Sequence, residues 1–276
     1  MNKKEFVLAA NWKMNPVTLK EAERMLDGIE TGIARLGRQD CGTSLNVIAF
    51  PPAVYLGALE KRKTIPFGIQ NIGWEWKGAY TGEISYPMAE NIGCKYAIIG
   101  HSERRRMFGE TDATVNLKLR SILQGNLKPI VCIGETKEEK DKGLTAKVLK
   151  EQIRTAFEKV SVLALPKIMI AYEPVWAISS MEKGVKGEAD DPSNVLSALI
   201  LIRKTLFEIY HSDVISKVKI IYGGSVNGKN VDGFIALDKL DGLLIGGASL
   251  NIFEFLTIAR KAYEGSQLTL EKIIHH

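Results

Sequence analysis

Cysteine is scarce in this 276-residue chain, which has only Cys41, Cys94 and Cys132. So few thiols, odd in number, do not make a disulfide framework, and they point to a reducing compartment. No apolar run approaches the roughly 20 residues that span a bilayer, so no membrane association is expected. Lysine and arginine form no block interleaved with aromatics, and the net charge is a modest +5. Nucleic acid is therefore not an expected partner. Histidine is limited to His101, His211, His275 and His276. No second histidine or acidic cluster accompanies His101 in the motifs below, so no metal is expected. Proline- and serine-rich linkers, low-complexity tracts and shifts of composition are missing too, and residues 1–276 read as one domain. Met1-Asn2-Lys3-Lys4-Glu5-Phe6 runs straight into an apolar segment, leaving no room for a secretory leader. The cytoplasm is the expected location.

What is present suits an ordinary globular protein, with 45% hydrophobic and 25% charged residues. Short apolar runs alternate with longer amphipathic ones. The runs at 6–10, 45–50, 67–70, 96–99, 129–133, 168–172, 218–222 and 243–245 predict strands. Most are continuously apolar, as expected for strands covered on both faces. The segments 19–35, 55–62, 87–92, 113–124, 145–160, 193–210, 231–237 and 252–264 predict helices. Thr111-Asp112 and Asp191-Pro192-Ser193 supply helix starts. Eight strand–helix repeats over about 250 residues suit a closed parallel (β/α)8 barrel. The alternative is an open doubly wound sheet, but no Gly-rich nucleotide fingerprint follows the first strand.

In such a barrel the chemistry lies where strands hand over to loops. The sixth strand delivers Glu173 to its end, and Pro174 stops the ladder there. A buried strand cannot keep an unpaired acid, so Glu173 reads as a mouth residue or as an ordinary acid opening a loop. Strand one ends in Asn11-Trp12-Lys13. Asn11 and Lys13 share a side if extended geometry continues. Lys13 then reads either as a charge for a phosphate or oxyanion or as a solvated lysine. His101 follows a buried strand and Gly100, which moves it from a structural role towards proton transfer or carbonyl polarisation. Arg104, Arg105 and Arg106, beside Glu103 and Glu110, are expected to pair internally rather than to form a nucleic-acid patch. The last two strands end in Gly223-Gly224-Ser225 and Gly246-Gly247-Ala248, whose backbone N–H groups can approach an anion. Two such pairs fit the phosphate site that barrels build from their last two loops.

Seven motifs now stand in order: Asn11-Trp12-Lys13-Met14-Asn15; Gln70-Asn71 with Gly78-Ala79-Tyr80-Thr81-Gly82-Glu83; Ile99-Gly100-His101-Ser102-Glu103-Arg104-Arg105; Cys132-Ile133-Gly134-Glu135-Thr136; Ala171-Tyr172-Glu173-Pro174-Val175-Trp176-Ala177; Tyr222-Gly223-Gly224-Ser225-Val226; and Gly246-Gly247-Ala248-Ser249-Leu250. Over nearly the whole chain they resemble the triosephosphate isomerase family. The resemblance implies a cofactor- and metal-free aldose–ketose isomerisation of a small phosphorylated sugar, dihydroxyacetone phosphate to glyceraldehyde 3-phosphate. It implies Glu173 as the base, His101 as the neutral carbonyl polariser and Lys13 as the electrostatic holder of oxyanion and phosphate. Asn11 lines the site and Glu103 positions its neighbours. Ser225, Gly246 and Gly247 would bind phosphate. The 70–86 loop, with Trp74, Trp76 and Thr81, resembles the family's dimer loop; the alternative is a self-packed loop. Cys132 reads as packing.

The chain departs from the family immediately after Glu173. Family lids continue with a short glycine-containing tip, whereas this chain reads Ile178-Ser179-Ser180-Met181-Glu182-Lys183-Gly184-Val185-Lys186-Gly187-Glu188-Ala189-Asp190-Asp191-Pro192. The resemblance carries the phosphate-facing N–H to Ser179 and the far hinge to Ala189. Two readings of the longer segment stand: a tolerated surface insertion, or a lid admitting a four-carbon tetrulose (erythrulose) phosphate. A barrel that binds sugar phosphate without turnover is the third, from a different functional class.

Overall fold

Continuous apolar runs form strands here because both of their faces find cover. A computed structural model describes residues 5–36, 44–60, 64–178 and 190–274. The strands are β1 (Glu5–Asn11), β2 (Ser44–Phe50), β3 (Gly68–Ile69), β4 (Tyr96–Ile99), β5 (Lys128–Ile133), β6 (Met169–Tyr172), β7 (Lys219–Tyr222) and β8 (Gly242–Ile245). All pair in parallel, in the order β2-β1-β8-β7-β6-β5-β4-β3. A bridge between Ala49 and Phe67, and a 3.1 Å bond from the Ala49 N–H to the Pro66 carbonyl, bring β2 against β3. The result is a (β/α)8 barrel, as the repeat pattern predicts.

Side-chain alternation splits each strand between two cores. One set fills the barrel interior: Val7 and Ala9, Ile130 and Cys132, Met169 and Ala171, Ile221, and Leu244. The other set, including Leu8, Val131, Ile170 and Tyr172, packs outward against the helices. Continuing the inward set by two residues gives Asn11 on β1, Gly134 on β5, Glu173 on β6, Gly223 on β7 and Gly246 on β8. The mouth residues are thus the next inward positions of the same pleat.

The helices are α1 (Leu19–Leu36), α2 (Ala53–Leu59), α3 (Tyr86–Asn91), α4 (Ser102–Phe108), α5 (Asp112–Ile122), α6 (Lys137–Asp141), α7 (Thr145–Ala156), α8 (Pro192–Tyr210), α9 (Val231–Ile235) and α10 (Ile252–Ile274). Helix α1 buries Ala22, Leu26 and Ile29, spaced four and three apart on one stripe. Both foreseen starts are present: Thr111 and Thr114 form a reciprocal cap, and the Asp191 side chain accepts the Ser193 N–H at 2.8 Å. Helices α4 and α6 were not foreseen, since Ser102–Phe108 and Lys137–Asp141 are largely charged and show no apolar stripe. Helix α7 stops at Ala156 rather than at 160, and the turn that follows holds Lys159 at φ 59°. Among the described residues no helix is long and apolar enough to cross a membrane.

Candidate active site

Glu173 reaches the mouth because its N–H still bonds the Ile133 carbonyl at 2.7 Å, extending the ladder one residue beyond β6. Pro174 then ends it. The carboxylate is only 2% exposed. A buried charge needs donors, and two stand beside it. The Ser102 N–H donates to Oε2 at 3.2 Å, and His101 Nε2 lies 3.5 Å from Oε1. Two glycines crowd it: a β-carbon at Gly134 would stand 1.9 Å from the Glu173 carbonyl oxygen, and one at Gly223 would stand 2.7 Å from its Cγ.

His101 caps α4, and its Nδ1 accepts the Glu103 N–H at 3.2 Å. A nitrogen that accepts carries no proton, so this bond assigns the ring's hydrogen to Nε2, on the side facing Glu173. Glu103 also turns its side chain to Lys13, with Oε1 at 2.5 Å from Nζ. The extended geometry expected between Asn11 and Lys13 does not continue. Lys13 sits at φ 55°, a left-handed conformation held from both sides: its N–H donates to Asn11 Oδ1 at 3.0 Å and its carbonyl accepts Gln70 Nε2 at 2.8 Å. A tight turn therefore brings the two side chains to one hollow. That hollow is lined by Asn11, Lys13, His101 and Glu173, and by Ser225, Gly246 and Gly247 from the last two loops.

Gly247 opens a single 3-10 turn, Gly247–Leu250. The Ser225 N–H donates to the Ala177 carbonyl at 2.7 Å, tying the β7 exit to the segment after Glu173. Ser179 and Ala189 lie outside the described residues, as does Cys41. Arg104 pairs with Glu110 at 2.8 Å, and Arg105 pairs with Asp112 at 2.5 Å. Glu110 also accepts the Gly100 N–H at 2.9 Å and meets the buried Lys118 at 3.1 Å. Burial works to raise the Glu110 carboxyl, but Lys118, Gly100 and Arg104 outweigh it and hold the group below its ordinary value. This ionic cluster fixes the backbone immediately before His101.

Two further motif residues are buried here: Cys132, expected as packing, and Glu135, to which no role was assigned. Cys132 is buried beneath Glu173; burial, and next the Glu173 charge, push its thiol well up, consistent with packing. Glu135 is 1% exposed and receives the Tyr172 hydroxyl at 3.2 Å and the Trp176 indole N–H at 3.4 Å. Burial lifts its carboxyl above the ordinary value; its own N–H, Trp176 and Tyr172 pull it back, and the charge of Asp190 adds to the rise. The folded chain therefore keeps a proton on Glu135 at pH values where the unfolded chain has lost it. Stability falls as pH rises through that window, which begins near 4.5. Glu135→Gln is expected to melt higher relative to the parent at pH 8 than at pH 4.5, as paired thermal melts would report.

A family model described as triosephosphate isomerase matches residues 6–262. The chain is 40% identical over 255 residues to the triosephosphate isomerase of Chloroflexus aurantiacus, covering 91% of this chain and 97% of that one. It is 42% identical over 255 residues to that of Caldanaerobacter subterraneus subsp. tengcongensis, with the same coverages. With that of Acetivibrio thermocellus it shares 38% over 259 residues, covering 93% and 98%. Match length, barrel and mouth agree, and the chain belongs to the triosephosphate isomerase family.

Proposed function

We propose that this chain interconverts dihydroxyacetone phosphate and glyceraldehyde 3-phosphate through an enediolate. One observation carries the reading: a buried carboxylate, Glu173, faces the Nε2 side of His101 at 3.5 Å in a hollow that also contains Lys13. Glu173 removes a proton from the carbon beside the carbonyl and returns it to the neighbouring carbon. His101 donates from Nε2 to the oxygens that gain charge, because Nδ1 is occupied by the Glu103 N–H. Lys13, with Asn11 beside it, stabilises the same oxygens and the phosphate, and Glu103 holds its ammonium in place. Ser225, Gly246 and Gly247 anchor the phosphate, so binding energy remote from the reacting carbons positions them. Ser179 completes the phosphate shell in this proposal.

The relatives named triosephosphate isomerase favour the triose over a tetrulose phosphate. The test is turnover of glyceraldehyde 3-phosphate by the purified chain, with erythrulose phosphate run in parallel. A rate at solution background would sink the isomerase reading, and a faster tetrulose rate would reassign the substrate. Tight sugar-phosphate binding without turnover would leave a binding barrel.

We also propose a single-domain cytoplasmic enzyme that works as a homodimer through the 70–86 loop. Residues 74–83 of that loop are exposed, Trp74 and Trp76 among them. Beside Lys13 and Glu103 lies a hollow of about 530 Å³ bordered by Met14, Met107 and Phe108, with Met14 93% and Phe108 68% exposed. Apolar side chains this exposed around one hollow suit a partner's loop carrying Thr81. The parent should elute as a dimer in light-scattering chromatography. Met14→Glu and Thr81→Arg are each expected to shift it towards monomer and to lower kcat/KM by at least about tenfold, since the insertion would buttress Lys13. A parent that runs as one chain at micromolar concentration would overturn the assignment.

A further inference from the structure

Behind Glu173, away from the substrate hollow, lies a second set of buried polar groups that the isomerisation does not use. Asp190 stands two residues before α8, and its side chain is 1% exposed. Its Oδ1 accepts from Asn194 Nδ2 and the Asp191 N–H, both at 2.9 Å, and lies 3.4 Å from Lys140 Nζ. Among the described residues its Oδ2 has no hydrogen-bond partner. A buried carboxylate with one oxygen unserved depends heavily on whatever cation faces it. The cation here is Lys140 of α6, a helix opened by the Thr136–Glu139 reciprocal cap.

Lys140 has a second contact. Its Nζ sits 3.4 Å from the centroid of the Trp176 ring, within cation–π range. Trp176 follows Glu173 by three residues, and its Nε1–H donates to Glu135 Oε1. Glu135 in turn receives the hydroxyl of Tyr172, the residue immediately before Glu173. The path Asp190–Lys140–Trp176–Glu135–Tyr172 therefore grips the chain on both sides of the base. It ties the β6 exit to α6 and to the head of α8.

Building on the isomerase reading above, we infer that Lys140 and Asp190 are positioning residues for Glu173, acting together through the Trp176 indole. Neither touches the substrate hollow. Their effect is on the fraction of time the Glu173 carboxylate spends in the reacting geometry, so it belongs in kcat rather than in KM.

Lys140→Met keeps an unbranched stem on the indole and removes the charge; Asp190→Asn removes the charge's partner. Each is expected to lower kcat about tenfold with KM within about twofold. The double variant is expected to be no worse than either single one, because both break the same link. Lys140→Arg is expected to restore most of the rate, since a guanidinium can stack on indole and pair with a carboxylate at once. The Nε1–H resonance of Trp176, assigned by its loss in Trp176→Phe, should shift in Lys140→Met and Asp190→Asn alike and return towards the parent position in Lys140→Arg. Single variants that keep kcat within twofold, losses that multiply in the double variant, or an arginine variant no better than methionine would each overturn the inference. If Asp190→Asn does not fold, the methionine–arginine comparison at Lys140 decides alone. A parent without turnover would sink the isomerase reading, whereas the resonance shifts test the link independently of it.

Discussion

Glu173→Gln is expected to lower kcat by about 10²–10⁴-fold and kcat/KM by the same factor, with KM nearly unchanged. Glutamine keeps an acceptor for the Ser102 N–H and fits between Gly134 and Gly223, so the loss reports proton transfer rather than packing. The amide cannot take a proton from carbon, and among the described residues the hollow offers no second carboxylate to replace it. Steady-state kinetics in both directions, with thermal melts to establish that the fold persists, make the measurement. A variant within tenfold of the parent would remove Glu173 from the base role and would undermine the whole mechanism.

The second large effect comes from a missing atom. Gly223→Ala would put a β-carbon 2.7 Å from Glu173 Cγ and 3.2 Å from Oε1. The carboxylate can escape only by rotating away from His101, and a displacement of about 1 Å in a reacting group costs on the order of 10²-fold in rate. We expect kcat to fall by that factor while the melting temperature changes little, since a side chain yields rather than the strand. Gly134→Ala is the contrasting case. Its β-carbon would stand 1.9 Å from the Glu173 carbonyl oxygen, which belongs to the backbone and cannot swing aside. Strands β5 and β6 must separate, so the expected cost is stability, about 1–3 kcal/mol or more. If the two alanine variants lost rate and stability in the same proportion, the distinction between side-chain and backbone crowding would be wrong.

The strands and the mouth were legible because both are written in short local patterns. Eight apolar runs give eight strands, and the motif residues Asn11, Lys13, His101, Glu173, Ser225, Gly246 and Gly247 meet in one hollow. Helices α4 and α6 are largely charged and carry no apolar stripe to read. The turn at Lys13 was hidden too, since a lysine at φ 55° is dictated by Asn11 and Gln70 rather than by its own preference. The burial of Asp190 was the least legible feature. In sequence it is one acid in a polar stretch, and among the described residues the cation that faces it, Lys140, stands fifty residues earlier. Long-range ionic pairing leaves no local signature, which is also why the Lys118–Glu110 pair behind Gly100 went unforeseen.

The shared inward register of the strands has a consequence for refolding. If β6 paired with β5 one residue out of step, Tyr172 would face the hollow and Glu173 would point into the helix layer. Backbone hydrogen bonding and strand content would survive such an error nearly intact, whereas turnover would vanish. Recovered activity after dilution from denaturant therefore counts correctly registered molecules, while circular dichroism counts strands of any register. A lag of the first behind the second would time the correction of misaligned barrels.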